Sequence, residues 1–182
     1  MSELARSYVN GEIDSVSKED VIRGRDARTT DREFREIKFR IEELTNKQLA
    51  ILANGDGLQK KQIALLGMCK LYSFIRDFVV EVLREKALVF DYQITEGEYT
   101  TFFRRKSESH PELDGLADST AKKIKQVTFK ILEQAGLIDN TKSKKISPQI
   151  VDGRVIRAVV EDDPEWLKIY LLSDMEVANK AS

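Results

Sequence analysis

Cations spaced to meet a polyanion are the main chemistry this sequence offers. Residues 119–131 read STAKKIKQVTFKI, and residues 29–41 read TTDREFREIKFRI. Superposed, Thr30 falls on Thr120, Arg32 on Lys122, Arg35 on Lys125, Phe39 on Phe129, Arg40 on Lys130 and Ile41 on Ile131. Each stretch opens on hydroxyl side chains and continues with Lys or Arg one turn further on. If each is a helix, its first backbone amides and the positive end of its dipole suit a phosphate, which the cations also reach. The candidate contacts are Thr29, Thr30, Arg32, Arg35 and Lys38 in the first copy, and Ser119, Thr120, Lys122, Lys123, Lys125 and Lys130 in the second. Arg104, Arg105 and Lys106 form a further basic run. Arginine can bond guanine bidentately, so the first copy has more capacity for base readout than the lysine-rich second.

The competing reading is that amphipathic helices simply turn Lys and Arg toward water. Asp31, Glu33, Glu36, Glu42 and Glu43 stand at spacings that let them pair with the cations of the first copy. No acid interrupts residues 119–132, and Arg104, Arg105, Lys106 and KSKK can come near it in space, so the second copy has the cleaner field. Other chemistries are poorly supplied. His110 is the only histidine and Cys69 the only cysteine, so neither a Cys/His zinc set nor an obvious nucleophile–base pair can be assembled. Neither a GxxxxGK[ST] loop nor a GxGxxG fingerprint is present. Glu161, Asp162, Asp163 and Glu165 read as a solvated helix start rather than a metal site. The expectation is a non-enzymatic protein with no cofactor and no metal.

The elements that must position these residues are helical. Of 182 residues, 41% are hydrophobic and 34% charged, the formal net charge is −1, and only three prolines and nine glycines interrupt the chain. Near-neutral charge leaves room for a local basic patch beside acidic faces. Apolar residues recur at helical spacing, so the expected class is all-α: a compact helical globular protein with helix-turn-helix-like units around a central apolar helix. One domain over 1–182 divides into a helix-turn-helix-like unit at 1–57, a core helix at 58–92, a second such unit at 93–140 and a helical tail at 141–182. RVIRAVV at 154–160 admits a strand, so a small C-terminal β-hairpin is the alternative there. The charges at Lys70, Arg76, Asp77, Glu81, Arg84, Glu85 and Lys86 break the longest apolar stretch, and the N-terminus lacks a signal-peptide core, so a soluble, cytoplasmic protein is expected.

Local signals place the helix ends. A first helix runs over 3–10 to Gly11, and Ser17 caps a second that ends near Gly24. Thr29 or Thr30 caps the helix carrying the first basic copy, and that helix runs or bends through 47–53 to the turn Asn54-Gly55-Asp56-Gly57. Thr95 caps a helix through GEYTTFFRRKS, Pro111 opens a short turn, Asp118 or Ser119 caps the second basic copy, and Gly136 ends it. KSKK at 142–145 reads as a basic linker, while Ser147-Pro148 and Asp163-Pro164 read as helix starts. In the second copy Ile124, Val127, Ile131 and Ala135 form the inward stripe, leaving Phe129 outside with the lysines. In the first, Phe34, Ile37 and Ile41 point inward and Arg32, Arg35 and Phe39 outward. Each copy follows a shorter helix and a turn, the order of a helix-turn-helix whose second helix enters the major groove.

Three stretches carry a resemblance: KLYSFIRDFVVEVLREK, with Tyr72, Phe78, Glu81, Val82 and Lys86; LADSTAKKIKQVTFKILEQAGLI; and, more loosely, ARTTDREFREIKFRIEEL. From about Ala5 to Leu172 the sequence resembles the BrxA family, small core components of the bacteriophage-exclusion (BREX) defence systems of bacteria. The resemblance implies an all-helical protein with helix-turn-helix units that binds double-stranded DNA. It would act beside the methyltransferase and ATPase components of such a system. Two other functions fit the residues: a protein-interaction adaptor using exposed Phe39 or Phe129, and an RNA-binding helical bundle of the antitermination-factor type.

Overall fold

The computed structural model describes residues 1–10, 22 and 27–182; the helix expected to start at Ser17 lies outside them. The described residues are all-α. Among them eleven α-helices succeed one another: α1 (Ser2–Asn10), α2 (Ala27–Glu42), α3 (Asn46–Asn54), α4 (Gly57–Leu71), α5 (Ser73–Phe78), α6 (Glu85–Leu88), α7 (Glu96–Ser109), α8 (Pro111–Asp114), α9 (Asp118–Ala135), α10 (Gly153–Val160) and α11 (Asp174–Ala181). A π-helical segment, Val79–Arg84, joins α5 to α6, and a 3-10 helix, Pro164–Tyr170, comes after α10. The chain divides into two compact units, one of Met1–Tyr72 with Val151–Trp166, the other of Ser73–Ile150 with Leu167–Lys180.

In the first unit α1 packs on α3, α2 on α4, and α10 on both α3 and α4. Leu4, Ile41, Leu52, Ile63, Leu66, Val155 and Val159 fill the space between them and are fully or almost fully buried. Buried amides tie the pieces together. Gln48 Nε2 donates to Ala158 O at 3.0 Å, and Gln62 Oε1 accepts from the Asp152 amide at 3.1 Å. At the α2–α4 contact, Gly67 lets the backbones approach: a Cβ there would lie 2.8 Å from Arg40 O. The helix ends are local. Thr45 and Asp56 each form a capping box, with Gln48 and Gln59 three residues on. Thr45 therefore ends the run-on helix that the sequence allowed after residue 42.

The single core helix expected over 58–92 is broken. Tyr72 leaves helical geometry (φ −116°, ψ 95°), and its hydroxyl donates to the Glu36 carboxylate while Arg40 lies 5.9 Å from its ring. Tyr72 thus closes α4 onto α2, and a new helix starts at Ser73.

The second unit is built on aromatic rings. Phe78 is completely buried, with its centroid 5.0 Å from Phe102, 5.4 Å from Tyr99 and 5.9 Å from Phe129. Pairs of this kind contribute about 0.5–1.5 kcal/mol each beyond their burial. The π-helical segment carries Arg84 inward, where it donates to Leu172 O at 2.7 Å and pairs with Asp174 at 2.9 Å.

Two other expectations are corrected. Ser147-Pro148 starts no helix; residues 147–150 have no regular secondary structure, and the Ser147 amide donates to Leu137 O at 2.9 Å. RVIRAVV is helix α10, capped by Asp152, because Val155, Ala158 and Val159 bury at helical spacing. The antiparallel pairing lies elsewhere, in isolated bridges Ile138–Ile146 and Gln93–Lys145.

Candidate nucleic-acid interface

Helix α9 carries the second basic copy. Its N-cap is Ala117, one residue before the expected Asp118, and no side chain caps it. Ser119 and Thr120 lie exposed in the first turn. At the other end Gly136 adopts φ 77°, the left-handed conformation glycine reaches without strain, and the chain turns back. The KSKK segment beyond it is an ordered turn rather than a linker. Asp139 Oδ1 accepts from the Lys145 amide and Asn140 Oδ1 from the amides of Lys142 and Ser143, each at 2.9 Å, and the Ile138–Ile146 bridge closes the base. The turn brings Lys144 back against α9.

Between them α7, α9 and this turn form an open groove of about 650 Å³. Lys122, Lys123, Lys125, Lys130 and Lys144 line it together with Gln126, Val127, Phe129 and Thr141, and its one carboxylate is Glu96. Lys122 and Lys123 are exposed, and neither has an ion-pair partner among the described residues. Lys125 and Lys144 share Glu96: its Oε2 accepts from Lys125 and its Oε1 from Lys144. Each of these ammoniums also lies over a ring, Lys125 at 5.5 Å from Tyr99 and Lys144 at 5.1 Å from Phe129. Burial first, then the nearby Lys144 charge, hold the Lys125 pKa below the usual lysine value. One carboxylate therefore does not neutralise the pair. Burial also pushes the Tyr99 phenol up to about 12, so it brings no negative charge to the groove at neutral pH. Lys130 is spoken for by Glu133, three residues on.

The inward face of α9 differs from the expected one. Thr128, Phe129, Leu132 and Ala135 are buried, whereas Val127 is 44% exposed. Apolar residues lie on both sides of the lysines, and the Phe78–Tyr99 cluster draws in Phe129. In α2 Thr30 and Ile41 are buried and the expected Phe34 and Ile37 are half-buried, with Arg32, Arg35 and Phe39 outward as expected. Phe39 is exposed where its sequence counterpart Phe129 is buried, and Thr30 is buried where Thr120 is exposed. The two copies match as strings but bury different faces.

Helix α2 begins at Ala27, so Thr29 and Thr30 are inside the helix and not at its cap. Arg32 and Arg35 have no ion-pair partner among the described residues, while Lys38 stands 3.9 Å from Glu42. In the run on α7, Arg104 is exposed and unpaired among the described residues. Arg105 pairs with Glu81 at 2.5 Å, and Lys106 with Asp77 at 2.6 Å and Glu81 at 2.8 Å. Those two cations flank Phe102 and hold α7 to α5 and the π-helical segment. Sequence reasoning placed KSKK near the second copy without singling out Lys144, and it missed Glu96. The signal for Lys144 was the Asp139-Asn140 pair, whose side chains favour a tight turn.

No group of His, Cys, Asp or Glu among the described residues is arranged to hold a metal ion. The acidic run is engaged structurally: Lys47 pairs with Glu161 at 2.5 Å and Lys70 with Asp162 at 2.6 Å. No helix among the described residues is long and apolar enough to cross a membrane.

A family model for BrxA matches residues 4–163. The chain belongs to the BrxA family. Two relatives, each named BREX protein BrxA, come from Bacillus cereus (strain H3081.97) and Escherichia coli O9:H4 (strain HS). The first BrxA is 27% identical over 109 residues, 60% of this chain and 54% of its own length. The second is 21% identical over 110 residues, again 60% of this chain and 52% of its own. The matches thus span about half the length of each BrxA relative. A crystal structure of an uncharacterized protein from Magnetospirillum magneticum shares the fold, with a TM-score of 0.77, 16% identity, and 93% of this chain and 90% of that chain covered.

Proposed function

We propose that this chain is a non-enzymatic, double-stranded-DNA-binding component of a BREX phage-defence system, working with other BREX proteins such as the methyltransferase and ATPase components. Family membership supports the setting. The DNA partner rests on one observation: a groove along α9 with five lysines and one carboxylate. Such a lining fits a phosphate backbone, because ammonium groups act as point charges that position a polyanion without reading bases. The short helix α8 followed by a turn and α9 has the order of a helix-turn-helix, with the N-terminal residues Ser119, Thr120, Lys122 and Lys123 leading.

The test uses Lys122→Glu together with Lys123→Glu, since neither residue supports the fold. The double variant should keep the wild-type melting curve and lose duplex affinity at least about tenfold, with a log–log salt slope shallower by about 1.8 for two phosphates. Unchanged retention of duplex by the folded variant defeats the reading. Tighter binding of an RNA hairpin than of duplex DNA would redirect it to RNA.

An adaptor role has an observation of its own. Val89 and Phe90 are 72% and 81% exposed at the end of α6, and Phe39 is exposed on α2, whereas Phe129 is buried and drops out of that reading. Loss of co-purification with a BREX partner on replacing Phe90, with duplex affinity intact, would favour it.

A further inference from the structure

Glu96 makes a contact that simple phosphate positioning by lysines does not use. It is the first residue of α7, its side chain is 58% exposed, and it supports no buried packing. Yet its two carboxylate oxygens are divided between two ammoniums, Oε2 to Lys125 on α9 and Oε1 to Lys144 on the returning turn. That is the arrangement two non-bridging oxygens of a phosphodiester would adopt between the same groups. Each cation also lies over a ring, Lys125 over Tyr99 and Lys144 over Phe129, an attraction that does not depend on the carboxylate. Lys122 and Lys123 lie in the same groove with no competing acid.

Resting on the nucleic-acid reading of this groove, we infer that Lys125 and Lys144 form a backbone-phosphate subsite which Glu96 occupies in the free protein and vacates on binding. Glu96 is an internal competitor that weakens binding and limits it to ligands able to displace it. A lone phosphate gains one exchange of anion for anion, with little net benefit. A polynucleotide gains more, because its neighbouring phosphates reach Lys122 and Lys123 at the same time. The site therefore discriminates in favour of a continuous backbone over small anions. Lys144 belongs to the subsite as much as Lys125, although it lies outside the basic helix.

The experiment compares wild type, Glu96→Gln, Glu96→Gln with Lys144→Gln, and Glu112→Gln, by duplex fluorescence anisotropy over a salt series. Glu112 lies on α8 outside the groove lining and controls for the simple loss of one negative charge. E96Q should bind duplex about fivefold tighter at low salt with the salt slope of wild type, because both engage the same phosphates once bound. Adding K144Q should abolish the gain, and E112Q should match wild type. Inorganic phosphate at millimolar concentration should compete weakly with all four. If wild type binds and E96Q matches it, or if E112Q gains equally, the subsite is refuted while the DNA reading stands. If phosphate alone saturates E96Q and blocks duplex, the groove is a small-anion site and the subsite assignment fails. If neither wild type nor E96Q binds duplex, the nucleic-acid reading falls first and the subsite with it.

Discussion

At the scale of the residue, charge was easier to read than packing. Lys122 and Lys123 were legible as outward cations because nothing in the core can receive an unpaired ammonium. Phe129 was not, since α9 offers apolar residues on two sides and only its ring partners decide which side buries. Lys144 was legible only as part of a nearby basic run, because its own place in the groove depends on a turn rather than a periodicity. Phe90 shows the same limit. It adopts φ 60° just past α6, with its amide donating to Ala87 O at 3.1 Å and the Asp91 amide to Lys86 O at 2.9 Å. These are the two bonds of a Schellman ending, and glycine is the usual residue at its left-handed position. A β-carbon there costs about 1 kcal/mol, and the ring, 81% exposed, recovers little of it by burial. Phe90→Gly should therefore raise the unfolding free energy by about 1 kcal/mol, read from a urea melt. A destabilised variant would mean that the ring packs more than its exposure implies.

At the scale of the element, some helix starts were written in side chains, and the break at Tyr72 was not. Thr95 caps α7 as the sequence suggests, and the structure adds Glu98 as its partner in a capping box. The break after Leu71 has no proline or glycine to announce it, because Tyr72 is pulled out of the helix by Glu36 and Arg40 on another element. Gly67 records a contact of the same long-range kind. With only 2.8 Å between its missing Cβ and the Arg40 carbonyl, which is backbone and cannot swing aside, α2 and α4 would have to separate to accept a methyl group. Gly67→Ala should lower stability by about 1–3 kcal/mol, against the small gain alanine gives in an unhindered helix. Thermal unfolding in parallel with wild type measures it, and an unchanged or raised midpoint contradicts the close approach.

At the scale of the whole molecule, ion pairs close both units, and they set how the protein meets acid. In the first unit burial alone would raise Asp162, but hydrogen bonds from Lys70 and Gln48 outweigh it and hold its pKa below the ordinary carboxylate value. In the second, burial likewise opposes Asp77 and Glu98. Hydrogen bonds from Lys106 and Arg76 depress Asp77, and those from Lys86 and Thr95 depress Glu98. All three carboxyls thus bind protons more weakly folded than unfolded. Their stabilisation is complete above the unfolded carboxyl range of about 4 to 4.5 and is lost as the pH falls through the lower folded values. Lys125 acts in the same direction at the other end of the scale. Its lowered pKa makes stability rise with pH between its folded and unfolded values, so it leaves the acid limb untouched. Urea unfolding free energies should stay level from pH 7 to about 5 and decline steadily toward pH 3. Lys106→Met should flatten part of that decline, because the proton-linked advantage of Asp77 goes with its partner. A wild-type profile that is flat to pH 3 would show that these pairs form without biasing the fold.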